Sequence, residues 1–263
     1  IRPNRLLVMD ASGDTIDLPG TETIEPTFGL PAMWVDPDNR EEATFKGYTV
    51  VDPATVITTH LTELIRDNMS ELLSYVETQN LLDELPNEHQ KLVGEVVPNQ
   101  ISVGGIQRVL QNLLNERVSI RDLPTILEGI SEACAFTRNV TQLTEHVRSR
   151  LSRQISEQNS TEDNFIPLVT LSAEWEQIFS DSILDQGEDK QLSMAPSQLQ
   201  RFIGAVRYTL DELADKEDPP VVLTSPTARP FVRSIIERFR PTTSIMSQNE
   251  LHPKAKIKTL GQI

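Results

Sequence analysis

The apolar residues between positions 106 and 114 constrain the fold of this chain more than any other feature. Ile106, Val109, Leu110, Leu113 and Leu114 recur at i, i+3, i+4, i+7 and i+8, which places all five on one face of an α-helix. This spacing predicts a helix with one face that packs against other elements. Similar but weaker helical spacing occurs on both sides of it, so the middle of the chain is predicted to be helical.

Aspartate and asparagine residues mark the beginnings of several predicted helices. Asp122 precedes Leu123-Pro124, and an Asp side chain can accept from the free N–H groups of a first helical turn in which proline is tolerated. Arg121-Asp122 could instead be a catalytic pair. Because helix capping by Asp122 already explains this pair, we interpret it as a junction between modules. Other helices are predicted over residues 36–47, 53–65, 70–85, 89–97 and 139–155. Residues 158–164 are polar and are predicted to be a linker.

Short strands alternate with helices beyond this linker. Strands are predicted at 165–171, 221–224, 244–247 and 257–260, and helices near 174–184, 197–214 and 229–239. The acidic residues 185–189 are predicted to form a flexible loop. With three further short strands at 5–10, 34–35 and 48–51, the pattern predicts an α/β (α+β) fold. We expect several small subdomains of mixed helices and short sheets, followed by a C-terminal α/β module.

The net charge of −15 over 263 residues disfavours nucleic-acid binding, because phosphates would be repelled over most of the surface. The charge is uneven: residues 229–263 contain seven Lys or Arg against two Glu, a surplus of five positive charges, so the remainder carries −20. This basic segment could be a solvated face or could contact an acidic neighbouring surface.

Sequence motifs for catalysis or metal binding are missing. The histidines His60, His89, His146 and His252 are scattered, and the single Cys134 has no evident histidine partner, so no zinc site or thiol nucleophile is indicated. No glycine-rich phosphate-binding motif is present either. We therefore expect a protein without cofactors that is not an enzyme. No apolar run approaches the ~20 residues that span a bilayer, and the start at Ile1 predicts an excised domain or a processed product.

Four long strings carry a resemblance to a known family. They are FGLPAMWVDP (28–37), GYTVVDPATVITTHLTELI (47–65), RVLQNLLNERVSIRDLPTILE (108–128) and LTEHVRSRLSRQI (143–155). Together they resemble the C-terminal cytoplasmic domain of the FlhA family of flagellar type III export-gate proteins. The injectisome export gates are the second-best match, and the Gly-Leu-Pro and Val-Val-Asp-Pro phrases favour the flagellar branch.

The resemblance implies a docking platform on the cytoplasmic side of the bacterial inner membrane, attached to a membrane-embedded N-terminal half. It implies a ring, nonameric in the family, that receives export substrates and flagellar chaperone–substrate complexes and works beside components of the export ATPase complex. It also implies four subdomains: residues 1–48 plus 98–117, residues 49–97, residues 118–163 and residues 164–263. The same role in an injectisome is one alternative, and an unrecognised hydrolase that uses scattered carboxylates is another.

The family binds chaperones in an apolar depression, and its contact positions map onto five residues of this chain. The aligned positions are Ser70, Leu73 and Gly104, with Ile101 and Val103 on the same wall. None of the three aligned residues matches the family's identity, although Leu73 keeps the apolar character. The resemblance therefore implies a partner-binding groove at these residues, but Leu73, Ile101 and Val103 could equally be ordinary core residues.

Overall fold

The computed structural model describes residues 1–10, 15–186, 189–213 and 218–263, and the chain divides after Leu72. Unit 1 comprises Ile1–Leu72 and unit 2 comprises Leu73–Ile263. Together they combine helices with several small sheets, which confirms the predicted fold class. The division into four subdomains stays a prediction.

Unit 1 is built on a four-stranded antiparallel sheet with the order β2-β3-β1-β4. Its strands are β1 (Leu6–Met9), β2 (Gly20–Ile24), β3 (Pro31–Val35) and β4 (Thr49–Val51). Its helices are a 3₁₀ turn at Pro37–Asn39, α1 (Arg40–Phe45), α2 (Pro53–Asp67) and α3 (Met69–Leu72). β2 was not among the strands predicted from the sequence. Its side chains are all at least partly exposed, so the strand has no apolar alternation and depends on backbone pairing with β3.

The two faces of this sheet pack against different helices. Leu6 and Val8 lie on one face, in an apolar cluster that includes Ala43 of α1. Leu7 lies on the other face with Trp34, where α2 adds Val56. This alternation follows from the opposite directions of successive side chains in a strand. α2 buries only Val56.

Unit 2 begins with a layer of helices. They are α4 (Tyr75–Asp83), α5 (Asn87–Val96), α6 (Val103–Asn115), α7 (Leu123–Ala133), α8 (Val140–Arg150) and α9 (Ser152–Gln158). The predicted helix at 106–114 is confirmed as α6, with Ile106, Val109, Leu110 and Leu113 fully buried. Asp122 caps α7 as predicted, because its Oδ1 accepts from the Thr125 backbone N–H at 3.3 Å.

Two predicted helices are interrupted in the structure. The prediction of continuous helix over residues 70–85 is wrong: α3 ends at Leu72, and Ser74 caps α4 by accepting from the Glu77 backbone N–H. The helix predicted over residues 139–155 is also divided, since α8 ends at Arg150 and α9 begins at Ser152. Leu151 and Ile155 are nevertheless both buried. Apolar spacing alone therefore did not reveal either break.

A parallel four-stranded sheet with the order β10-β5-β8-β9 completes unit 2. Its strands are β5 (Phe165–Thr170), β8 (Val221–Thr224), β9 (Ile245–Ser247) and β10 (Lys256–Gln262), and its helices are α10 (Ala173–Ser182), α11 (Pro196–Glu212) and α12 (Arg229–Ile236). Ile166 and Leu168 of β5 join the core of the helical layer, whereas Val169 joins a second core with α10, α11 and α12. The predicted C-terminal α/β module is thus confirmed.

The prediction of a flexible loop at 185–189 is wrong where the structure describes these residues. A hairpin of β6 (Ile183–Gln186) and β7 (Asp189–Leu192) occupies this region, with Asp185 paired to Lys190 across the strands. Residues 187 and 188 lie outside the described part. The charged composition suggested a loop, but the backbone pairing of β6 with β7 begins at Ile183 and Leu192 and extends to Gln186 and Asp189.

Candidate docking surfaces

The five predicted contact residues occupy two different units. Ser70 lies half-buried on α3 in unit 1, and the other four belong to unit 2. Leu73 and Val103 are only 8% and 7% exposed and share one apolar core, against which Ile101 packs. Gly104 is half-buried, and a Cβ added there would meet only the Ser102 Oγ, at 3.9 Å. The four predicted contact residues in unit 2 therefore lie close together, but mainly in the packed core and not on an open surface.

Polar contacts fix this part of unit 2. The Leu73 carbonyl oxygen accepts from Gln107 Nε2 at 2.9 Å and from Gln111 Nε2 at 3.1 Å, so α6 holds the chain just before α4. Ser102 caps α6 by accepting from the Gly105 backbone N–H at 3.2 Å. Tyr75 and Val76, on the first turn of α4, remain exposed. Among the described residues around the predicted wall in unit 2, these two are the exposed large apolar side chains, and neither was predicted to be a contact residue.

Among the helices that the structure describes, α2 in unit 1 carries the largest number of exposed large apolar side chains. We call Ile57, Leu61, Leu64 and Ile65 the α2 face; each is 46–54% exposed. The i, i+4, i+7 and i+8 spacing aligns them along one side of the helix. A helix over residues 53–65 was predicted from the sequence, but nothing in the pattern tells a covered helix face from an exposed one.

The ends of α2 are well capped, so the face sits on a regular helix. Asp52 accepts from the Thr55 backbone N–H at 2.8 Å, and this bond lowers the pKa of its carboxyl. At the other end, Asn68 Nδ2 donates to the Leu64 carbonyl oxygen at 2.7 Å. These contacts satisfy backbone groups that would otherwise lack partners at the helix ends.

A second apolar projection in unit 1 is the loop between β2 and β3. The Glu25 carboxylate accepts from the backbone N–H groups of Thr27 (2.9 Å) and Phe28 (2.6 Å), while the Phe28 ring stays exposed. Burial alone would raise the pKa of Glu25, but these N–H donors, with a smaller contribution from the charge of His60, lower it. A carboxylate held ionised in this way fixes the loop that presents Phe28.

Unit 2 also contains a buried network of charges. Arg229 makes bidentate contacts to Glu116 (2.7 and 2.8 Å) and to Glu145 (2.5 and 2.7 Å). Arg148 donates to Glu250 at 2.6 Å, and Glu250 Oε1 lies 3.4 Å from Arg229. We call these five residues the ion-pair network; it joins α6, α8 and α12 to the segment after β9.

Burial and the neighbouring charges shift the pKa values of three members of this network. Burial opposes ionisation of Glu116, but the charges of Arg229 and Arg148 outweigh it and lower its pKa to about 2. Burial raises the pKa of Glu145 against the pull of Arg229, and the charge of Glu250 adds to the rise. Burial alone would lower the pKa of Arg229, yet Glu116 and Glu145 raise it well above its ordinary value.

The network is chemically suited to holding elements together. A cleft of about 310 Å³ reaches Glu116, Glu145 and Arg229, but both oxygens of each of these two carboxylates are engaged by the guanidinium. Within the described ranges, no group of three or more His, Cys, Asp or Glu is arranged to hold a metal ion. A membrane-spanning helix is likewise not found among the described residues.

Comparison with known sequences gives consistent matches along the chain. Residues 1–256 match the FHIPEP family. The flagellar biosynthesis protein FlhA of Caulobacter vibrioides is 55% identical over 263 residues, all of this chain and 38% of the relative. FlhA of Bacillus subtilis is 36% identical over 257 residues, 98% of this chain and 38% of the relative. The chain thus spans little more than a third of the length of these curated relatives.

Solved structures share the fold across the full chain. The Chlamydia pneumoniae CdsV protein superposes with a TM-score of 0.84 at 28% identity, covering 100% of this chain and 76% of that one. CdsV in a complex with CdsO gives 0.82 at 26% identity, covering 100% and 75%. Nonameric SctV-C from EPEC gives 0.77 at 24% identity, covering 100% and 79%, a likeness of fold alone.

Proposed function

The chain belongs to the FHIPEP family, and from that premise we propose that it is the docking platform of a flagellar type III protein export gate. It receives export substrates and chaperone–substrate complexes on the cytoplasmic side of the bacterial inner membrane. The single observation that carries the docking role is the α2 face, an apolar stripe left uncovered on a capped helix.

The α2 face has the geometry that helical partners use. An amphipathic helix binds by inserting apolar anchors spaced at i, i+3, i+4 and i+7, and it needs an apolar counterpart of similar length. Ile57, Leu61 and Leu64 provide such a row over two turns. Exposed rows of large apolar side chains are unfavourable in water unless a partner covers them for part of the time.

The five residues implied by the family resemblance enter the proposal in different ways. Leu73 and Val103 support the fold of unit 2 from within its core, and Ile101 packs against them. Gly104 leaves space at the start of α6, and Ser70 belongs to α3 beside the end of α2. We propose that partners contact Tyr75 and Val76 over this supporting wall in unit 2.

The flagellar role is favoured over an equivalent role in an injectisome by sequence identity. Eight flagellar relatives are 31–55% identical, and six similar solved structures are 23–28% identical. A hydrolase role is disfavoured by the ion-pair network, because its carboxylates are already paired with arginines.

Ring assembly and contact with a further export component extend the proposal. One neighbour in fold is described as nonameric and another as a complex with CdsO. We propose that this chain also self-associates into a ring, attached to the membrane through the rest of the protein, and contacts components of the export ATPase complex. Sedimentation of the chain at rising concentration tests self-association, and a strictly monomeric species throughout would contradict a ring formed by this chain without the rest of the protein.

The docking role is tested by calorimetry with purified flagellar chaperone–substrate complexes. The double substitution Leu61→Asp and Leu64→Asp places two charges on the α2 face, and we expect the Kd to rise at least tenfold. Leu184→Asp changes a similarly exposed leucine on β6 and should bind like the unmodified chain. Circular dichroism checks that all variants remain folded.

The same substitutions can be placed in the full-length protein and scored for swimming motility. Loss of motility in the α2 variant, with normal motility in the Leu184→Asp strain, supports the role. Unchanged binding heat together with unchanged motility in the α2 variant would refute docking at this face.

A further inference from the structure

β10 is the outer strand of the parallel sheet in unit 2. It pairs with β5 along one side, and no strand in the described part of the chain pairs with its other side. At seven residues it is also the longest strand among those described. Its outer edge therefore offers backbone N–H and C=O groups to a further strand.

In the part of the chain that the structure describes, the lysines around this edge differ from the remaining lysines in their partners. Lys46, Lys91 and Lys190 each lie within 4.0 Å of a carboxylate. Lys254, Lys256 and Lys258 are exposed, and within the described residues none of them forms an ion pair. Lys258 Nζ lies instead over the Phe165 ring, at 4.7 Å. In a chain of net charge −15, three neighbouring cations without a carboxylate partner among the described residues form a local site for negative charge.

The two faces of β10 differ in chemistry. Lys256 and Lys258 point to one side of the sheet, and Ile257 and Thr259 point to the other, because successive strand residues alternate. Ile257 is 55% exposed. A strand added beside β10 would therefore meet lysines on one face and an apolar and a hydroxyl side chain on the other.

We infer that β10 is a docking edge for an extended acidic segment of a partner protein, which adds to the sheet as a further strand. The segment alternates Asp or Glu, opposite Lys256 and Lys258, with apolar residues opposite Ile257. Opposite charges on adjacent strands are stabilising and like charges are destabilising. The same lysines thus disfavour pairing of two β10 edges and favour an acidic strand. This inference does not depend on docking at the α2 face.

The experiment uses the peptide acetyl-Glu-Val-Glu-Val-Glu-Val-Glu-amide as the probe, titrated into the ¹⁵N-labelled chain. We expect chemical-shift changes concentrated at residues 254–262 and slower amide exchange along β10, with affinity that falls as salt rises. Lys256→Glu with Lys258→Glu should weaken binding at least tenfold. Lys91→Glu, a charge reversal on α5, should leave the affinity unchanged.

Backbone methylation separates strand addition from charge attraction alone. In one version of the peptide the Glu residues carry backbone N-methyl groups. In the other version the Val residues carry them. Only one set of N–H groups faces β10, so strand addition predicts that one version fails and the other binds.

Equal binding or equal failure of both versions would overturn the inference. Chemical-shift changes located away from β10 would also overturn it. If the chain self-associates and the double substitution Lys256→Glu with Lys258→Glu abolishes this, the strand that pairs with β10 belongs to a second copy of the chain, and the inference is again overturned. The experiments with the methylated peptides use only the unmodified chain, so they test the inference even if the charge-reversed variant does not fold.

Discussion

α2 in unit 1 and α6 in unit 2 show two uses of the same kind of sequence pattern. Both are amphipathic and begin at a capping side chain, but α2 buries one of its fifteen residues and α6 buries six of its thirteen. In α6 the apolar face is covered by other helices of unit 2 and contributes to its core. In α2 most of the face remains exposed. Apolar spacing thus specifies which face of a helix is apolar, and the tertiary fold decides whether that face stabilises the protein or remains available for partners.

The ion-pair network adds a second difference between the units. Arg148, Arg229 and Glu250 are each at most 2% exposed in unit 2. Buried charges require partners, because removing a charge from water without compensation costs several kcal/mol. Unit 2 is therefore expected to respond strongly to changes in its interior, and the α2 face of unit 1 to tolerate changes.

Arg229→Ala is expected to have the largest effect on stability. The substitution leaves Glu116 and Glu145 buried without their bidentate partner, which should lower the free energy of unfolding of unit 2 by about 3–5 kcal/mol. Urea denaturation followed by fluorescence of the buried Trp175 measures it. Arg201→Ala, on the surface, is the control and should change stability by less than about 1 kcal/mol. A similarly small loss of stability for Arg229→Ala would show that the ion-pair network does not stabilise unit 2.

A matched pair of leucine substitutions tests the comparison of the two helices directly. Leu110→Ala on α6 removes a fully buried side chain, and we expect unit 2 to lose about 2–5 kcal/mol. Leu61→Ala on α2 removes one that is 54% exposed, and we expect a change within about 0.5 kcal/mol. Denaturant midpoints of both variants give the answer. A large loss for Leu61→Ala would mean that the α2 face stabilises the fold and is not free for partners.

Acidification should weaken unit 2 through Glu116. Its pKa of about 2 lies below the ordinary value, so its contribution is fully present above about pH 4.3 and is lost as the pH falls toward 2. The loss is on the order of 3 kcal/mol, and Glu116→Gln should remove this part of the pH dependence.

Glu145 provides the contrast within the same network. Its pKa is raised, so the folded state gains stability as the pH falls through that raised value toward 4.3. Glu145→Gln should remove this gain and leave the loss below pH 4.3 in place. Denaturation at a series of pH values separates the two variants, and identical profiles would show that the two carboxylates do not differ in this way.

The elements that sequence predicted well are those with strong local signals. α6 and the cap of α7 follow from spacing and from one Asp–Pro arrangement, and β8 is bounded as predicted. β2 was missed because its stability comes from pairing with β3, which no local pattern records. The exposure of the α2 face was missed for a related reason, since burial depends on what the rest of the chain covers. The ion-pair network could not be foreseen because Glu116 and Arg229 are 113 positions apart.

Apart from the exposed Leu61→Ala and Arg201→Ala, the smallest effects are expected at two matching caps, one in each unit. Asp122→Ala removes the acceptor for the Thr125 N–H at the start of α7 and should lower the stability of unit 2 by about 1 kcal/mol. Arg121→Ala is the control: if Arg121-Asp122 is only a junction, this substitution should change neither stability nor any binding. Asp52→Ala removes the corresponding cap of α2, where the Thr55 hydroxyl is a second donor to the carboxylate at 3.0 Å. Because the packing of α2 contributes little, its helix should depend more on its cap, so amide exchange in the first turn of α2 should accelerate more than in α7. Equal acceleration in both helices would show that the cap, and not the packing behind it, determines how firmly each helix begins.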